Sequence, residues 1–214
     1  MARRAHAEGP VRRRPRRSQA ERTAETRAKV IAAVIDCVGD LGYAGATAVE
    51  ITGRAGVTWG AVQHQFGGKD GLFLAVVEDS FAHFASLLSD LAIEDQSLET
   101  RVSLFVDGAW QHFSSATYRA TFEILLNHLG REDRPPGGSW QQQLFRSWDR
   151  IWMEFLGDAP IPRRRHPILQ HYTISVLSGL ASSLVLAGPG ARLHASELDL
   201  LKDSLTRELT RDVR

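Results

Sequence analysis

Only one cysteine, Cys37, occurs in the 214 residues. A single thiol closes no internal disulfide, so a disulfide-stapled scaffold is excluded and a reducing compartment fits. Cys37 lies in an apolar-periodic segment and reads as a small buried hydrophobe rather than a reactive thiol. Long hydrophobic runs are also missing. The longest, SVLSGLASSLVLAG over 175–188, is broken by Ser and Gly and falls short of the roughly 20 apolar residues a bilayer span takes. Nothing apolar precedes Val30 in the way a secretion signal requires. These absences lead us to expect a soluble, cytoplasmic protein with no membrane partner. No stretch alternates polar and apolar residues long enough to suggest a strand, so the expected class is all-α. Catalytic signatures are scarce as well. There is no G-x-S-x-G, no P-loop and no H-x-x-x-H or E-x-x-H pair on one helix, and His166 and His171 stand five apart. No metal and no cofactor are expected, and an enzyme has no motif to carry it.

What is present begins with apolar content. Hydrophobic residues make up 43% of the chain, enough for a substantial core, and the length fits one large domain or two small ones. The net charge of +1 conceals an asymmetry. Residues 1–29 carry ten basic side chains against three Glu, a net +7, while the other 185 residues carry 16 basic and 22 acidic groups, a net −6. A basic head on an acidic body fits a polyanion partner at one end. For residues 1–18 a solvated tail that binds nothing specific fits equally. Residues 1–20, MARRAHAEGPVRRRPRRSQA, are poor in apolar residues and hold Pro10 and Pro15, so they are assigned as a disordered basic arm.

From Glu21 the pattern turns helical. Val30, Ile31, Val34, Ile35, Val38 and Leu41 recur at helical spacing and form one apolar face, which Gly42 ends. Thr47 and Glu50 predict a capping box at the start of a short helix over about 48–54. Thr58 caps the next, about 59–65, and Lys69 and Asp70 open a long helix reaching about 92. The rest reads as helices separated by the polar loops REDRPPGGS and DAPIPRRR, the last two helices spanning about 166–187 and 196–212. About nine helices are predicted, divided into the arm at 1–20, a first domain at 21–68 and a second at 69–214.

Two short helices joined by a tight Gly-containing turn make the helix-turn-helix layout, whose second helix lies in the major groove. Gly56 suits the turn because it takes positive φ without steric cost. Ala55 and Val57 would pack the two helices together, with Ala48, Val49, Ile51 and Val62 completing a miniature core. The stretch RTAETRAKVIAAVIDCVGDLGYAGATAVEITGRAGVTWGAVQHQFGGKDGLF, residues 22–73, resembles the N-terminal domain of TetR-type transcriptional repressors. The matching features are an R-x-x-I/V-x-x-A opening helix, GYAGAT, the pattern I-x-x-x-AGV-[ST]-x-G-x-x-x-x-x-F, and K-x-x-L. They are specific over about residues 22–80. Beyond that only length and helical architecture agree.

The resemblance implies an N-terminal three-helix helix-turn-helix domain followed by a C-terminal helical ligand-binding and dimerisation domain. By its residue pattern, Thr47 looks like the family's phosphate contact at a helix start. Thr58 matches the capping Ser/Thr of the recognition helix, Trp59 a variable base-reading position, and Gly60 the small residue that allows close approach. His64 and Lys69 match backbone-contacting positions, and Phe66 the aromatic that anchors the next helix. Two positions depart from the pattern. Gln63 stands where Tyr is usual, and either donates to a phosphate or pairs with adenine. Trp59 stands where a polar residue is common, and either meets a thymine methyl or stacks on sugar. Each of these side chains also has a bland role in packing, capping or solvation.

One short recognition helix reads few base pairs, so the implied protein is a homodimer on a near-palindromic double-stranded operator. The implied function is a DNA-binding transcriptional regulator, a repressor released by a small-molecule effector. The alternatives are an architectural DNA-binding protein that senses nothing, and a helical enzyme. The last two helices would form the dimer interface, where Gly179, Ala181, Ser182 and Ser183 permit close approach or else line an intrachain contact. Aromatic side chains line many ligand cavities and fill many cores. The pocket candidates chosen from them and their neighbours are Trp110, Phe113, Phe122, His128, Trp148 and Trp152, suited to a flat or apolar ligand.

Overall fold

The computed structural model describes residues 18–129, 139–187 and 195–211. Residues 1–17, most of the expected arm, lie outside the described residues. Nine α-helices and no strands occur among the described residues: α1 Gln19–Gly45, α2 Ala48–Ala55, α3 Trp59–Phe66, α4 Lys69–Ser89, α5 Leu98–Phe113, α6 Ala116–Ile124, α7 Ser139–Leu156, α8 His166–Ala187 and α9 Ala195–Leu209. A π-helical turn, Leu125–Leu129, extends α6, and a 3₁₀ turn, Arg163–Arg165, precedes α8.

The helix ends follow from local chemistry. α1 starts two residues before the expected Glu21 because Ser18 and Glu21 form a capping box, Ser18 Oγ accepting from the Glu21 N–H at 3.1 Å and Glu21 Oε2 from the Ser18 N–H at 2.7 Å. Gly42, with φ 69° and ψ 172°, interrupts α1 at the expected position, and one more turn follows. The box expected at Thr47 is only half formed. Thr47 Oγ1 accepts from the Glu50 N–H at 3.2 Å, but the Thr47 N–H donates to Gly45 O at 2.7 Å rather than to Glu50. Ser115 caps α6, so the apolar pattern from 97 onward bends after Phe113.

Two cores form. The first joins Val30, Val34 and Val38 of α1 to Ile51, Val62, Leu72 and Phe73, and holds the fully buried Cys37. The second packs Phe84, Phe105, Trp152, Phe155, Leu177 and Leu205. α4 serves both, with Leu72, Phe73 and Val76 in one and Phe84 and Leu88 in the other. The first core therefore runs past residue 68 into α4. α6 also crosses over, because Ala120 and Ile124 are buried in the first core while Tyr118 packs on the second. By length and mean hydropathy (1.4 over an 18-residue window) α4 alone among the described helices could cross a membrane. Leu72, Phe73, Val76, Val77, Phe84 and Leu88 are instead buried in the two cores.

Two expected members of the apolar faces point outward. Val49 is 79% exposed, so it does not join the miniature core, and Leu41 is 48% exposed beside the Gly42 interruption. Arg101 ties α5 to the end of α7, donating to Phe155 O at 2.6 Å and clasping both oxygens of Asp158 at 2.7 and 2.8 Å.

Candidate nucleic-acid interface and C-terminal pocket

α2 and α3 are each eight residues long, too short to persist alone. Their caps and their packing hold them. Gly56 ends α2 in the left-handed conformation at φ 66°, and the Val57 N–H returns to Thr52 O at 3.2 Å. Thr58 Oγ1 accepts from the Ala61 N–H at 3.3 Å and starts α3. Ile51 and Val62, both fully buried, pin the pair to α1 and α4. At the far end of α3 a Cβ on Gly71 would collide with the Phe66 carbonyl, so only glycine lets α4 begin this close to α3.

With Val62 facing in, α3 turns Gly60, Ala61, Gln63 and His64 to solvent. Three of these are expected contact residues. Thr47 and Thr58 are also exposed, each with its hydroxyl already engaged as a cap acceptor. Trp59 is half-buried against the first core. The Lys69 ammonium stands 5.8 Å from the Tyr43 ring centre and 5.2 Å from that of Phe73, a cation–π arrangement. α1 braces α3 from behind, where Gln65 Nε2 donates to Thr23 O at 3.0 Å and the Arg27 guanidinium covers the Phe66 ring at 5.3 Å.

The C-terminal half contains a cavity of about 390 Å³. Phe113, Tyr118, Phe122, Leu126, Ala181 and Leu184 supply its apolar wall, and Arg119, Glu123 and Ser182 its polar edge. Two of the six expected ligand residues, Phe113 and Phe122, line it. Trp148 and Trp152 are buried in the second core instead. The Trp152 indole N–H donates to His166 Nδ1 at 3.1 Å, which fixes that nitrogen as an acceptor, and burial lowers the pKa of His166. Trp110 packs on the same core outside the cavity. His128 falls in the π-helical turn Leu125–Leu129, its side chain outside what the structure describes. Sequence reasoning passed over Tyr118, Arg119 and Glu123. Their signal was present, since in TYRATFEI Tyr118 and Phe122 repeat at four, as do Arg119 and Glu123, placing two stripes on one helix face. The small residues of α8 divide: Ala181 and Ser182 line the cavity, while Gly179 faces open space. No group of three His, Cys, Asp or Glu side chains among the described residues could hold a metal ion.

Residues 30–76 match the family model of bacterial regulatory proteins, tetR family. The chain is 37% identical over 129 residues to the HTH-type transcriptional regulator CymR of Pseudomonas putida, a match that takes in 56% of this chain and 58% of that protein. It thus spans little more than half the length of that relative. Identity to the HTH-type transcriptional regulator BetI of Cronobacter sakazakii is 28% over 181 residues, 79% of this chain and 84% of the other. The structure of the multidrug binding protein EbrR, complexed with imidazole, has the same fold, with a TM-score of 0.61 at 20% identity, covering 93% of this chain and 98% of that one.

Proposed function

We infer that this chain, a member of the tetR family of bacterial regulatory proteins through residues 30–76, is a cytoplasmic repressor. It would bind an inverted-repeat operator as a homodimer and leave it when a small molecule occupies the C-terminal half. The observation that carries the reading is α3, whose inner residue Val62 is locked in the core while Gly60, Gln63 and His64 are offered to solvent. A short helix held this firmly at one face can enter a major groove without reorganising. Phosphate contacts from Thr47, Thr58, Gln63, His64 and Lys69 would set register, and Trp59 with its exposed neighbours would read bases.

Two further features support the finer statement. Ile168 and Tyr172 on α8 and Leu200 on α9 are 65%, 42% and 66% exposed, an apolar surface suited to a second copy. The 390 Å³ cavity is of the size that holds small ligands. A purely architectural DNA-binding protein would have no use for it.

The test is selection of duplexes from a random pool by the purified full chain, followed by light scattering of the complex and a compound screen for release. An enriched inverted repeat bound by two chains and released by at least one compound supports the repressor. Indifference to sequence at moderate salt, or a single chain per site, overturns it.

A further inference from the structure

His112 is buried on α5, 2% exposed, and neither ring nitrogen has a hydrogen-bond partner among the described residues. Rings surround it: Phe84 at 5.0 Å, Tyr118 at 5.6 Å, Phe113 at 5.8 Å and Phe81 at 6.3 Å between centres. Leaving a buried polar group unpaired is costly, and an apolar residue of similar volume would fit such a cage better. Two more unpartnered hydroxyls, Ser80 Oγ and Thr121 Oγ1, are buried on the neighbouring helices α4 and α6. Each of α4, α5 and α6 thus carries a buried polar group with no partner among the described residues.

The His112 ring lies one side chain away from the cavity. Phe113 and Tyr118 line the cavity and also touch the His112 ring. Tyr118 is the partition. Its other face stacks on Phe122 at 5.8 Å, and its hydroxyl is tethered to Ser178 Oγ at 3.0 Å. This part-buried hydroxyl pair shares a single hydrogen bond, so the ring turns aside for a ligand at the loss of that one bond.

Resting on the reading of the chain as a ligand-released regulator, we propose that His112 recognises the effector, and that the effector is an uncharged aromatic molecule bearing a hydroxyl group. Its rings occupy the Phe113–Phe122–Leu126 cavity, Tyr118 turns away, and the hydroxyl pairs with the His112 imidazole. The walls decide against an anion. Among the described residues the cavity edge offers one cation, Arg119, and one carboxylate, Glu123, so a carboxylate ligand gains from one and is repelled by the other. In the ring cage it would meet only an imidazole that burial keeps neutral. A neutral imidazole has one donor and one acceptor nitrogen, and a hydroxyl can serve either.

The test uses the full chain and three probes in equilibrium dialysis: 2-naphthol, naphthalene and 2-naphthoate. The unaltered protein should bind 2-naphthol roughly tenfold more tightly than either other probe. His112→Leu should abolish that advantage and leave naphthalene binding unchanged, and His112→Gln, which keeps a donor and an acceptor, should retain part of it. Thermal melting of each variant establishes that it is folded. An advantage that survives His112→Leu, tighter binding of 2-naphthoate, or no binding of 2-naphthol overturns the proposal. Release of a selected inverted repeat is measured separately. If 2-naphthol binds through His112 and neither it nor any compound of the screen releases DNA, the release reading fails and the site stands. If another compound releases DNA equally from His112→Leu protein, and 2-naphthol shows no His112-dependent binding, the site fails and the release reading stands.

Discussion

Glu123 Oε2 accepts the backbone N–H of Tyr43 at 3.0 Å, eighty residues away in the chain. Tyr43 follows the Gly42 interruption at the end of α1, and Glu123 lines the cavity on α6. One carboxylate therefore touches both α1, which braces α3, and the space proposed for the effector. α6, like α4, thus contacts both halves.

Removing this bond should be measurable without DNA. Glu123→Ala leaves the Tyr43 N–H without its carboxylate and should lower unfolding stability by about 1–2 kcal/mol in urea titrations. Glu123→Gln keeps an acceptor oxygen and should lose less than half as much. Equal losses for the two variants would mean that the bond contributes little.

The exposed side of α3 predicts a division of labour on DNA. Gln63→Ala and His64→Ala should weaken binding to a selected operator while leaving melting temperature within a degree or so, because both side chains are solvent-exposed. Lys69→Ala should lower affinity for all duplexes alike and reduce the slope of log K against log salt by about one charge. An unchanged slope would assign Lys69 to its cation–π contacts with Tyr43 and Phe73 alone.

Trp59 is half-buried, so its packing and its reading roles separate by substitution. Trp59→Ala should cost about 1–2 kcal/mol of stability, less than a fully buried aromatic, and reduce operator affinity as well. Trp59→Phe should keep most of the stability and change the preferred bases in a random-pool selection. A preference identical in the Phe variant would remove Trp59 from the reading set.

The apolar surface of α8 and α9 gives a prediction about assembly. Ile168→Asp with Leu200→Asp, both at exposed positions, should leave each subunit folded by circular dichroism. Sedimentation should then show single chains where the unaltered protein shows pairs, and operator binding should fall with it. Pairs that persist in the double variant would move the interface elsewhere.

The helical class, the two short helices and the turn at Gly56 were legible because each rests on a local rule: a cap three residues from a donor, a glycine after the last apolar residue, a period near 3.6. Contacts between distant segments were not. Nothing local distinguishes Trp148 and Trp152, which fill a core, from Phe122, which lines a cavity, or Phe113, which does both, since all four are aromatics at helical spacing. The partition depends on how α5, α6 and α8 meet. The Tyr43–Glu123 bond is invisible for the same reason. Val49 was misplaced because α2 is too short for its apolar spacing to settle which side faces the core.

His112 yields a prediction whose sign follows from burial. Loss of hydration, with a smaller contribution from the charge of His83, lowers its pKa from 6.5 to about 4. The unfolded chain therefore takes up a proton near pH 6.5 while the folded chain does not until about pH 4, so acidification across that window favours unfolding. The accumulated loss is roughly 3 kcal/mol at its lower end. Asp158 and Glu208, whose pKa values are lowered by hydrogen bonds from Arg101 and Arg165, also lose their contributions as they protonate in acid. A difference measurement separates them. In urea titrations from pH 7 to pH 4, His112→Leu protein should lose less stability than unaltered protein, with the gap opening below pH 6.5 and levelling near 4. At pH 7 the same variant should be more stable by about 1 kcal/mol, because it removes an unpaired buried imidazole from a cage of rings. Parallel pH curves for the two proteins would mean that the imidazole has a partner in solution and is not held for a ligand.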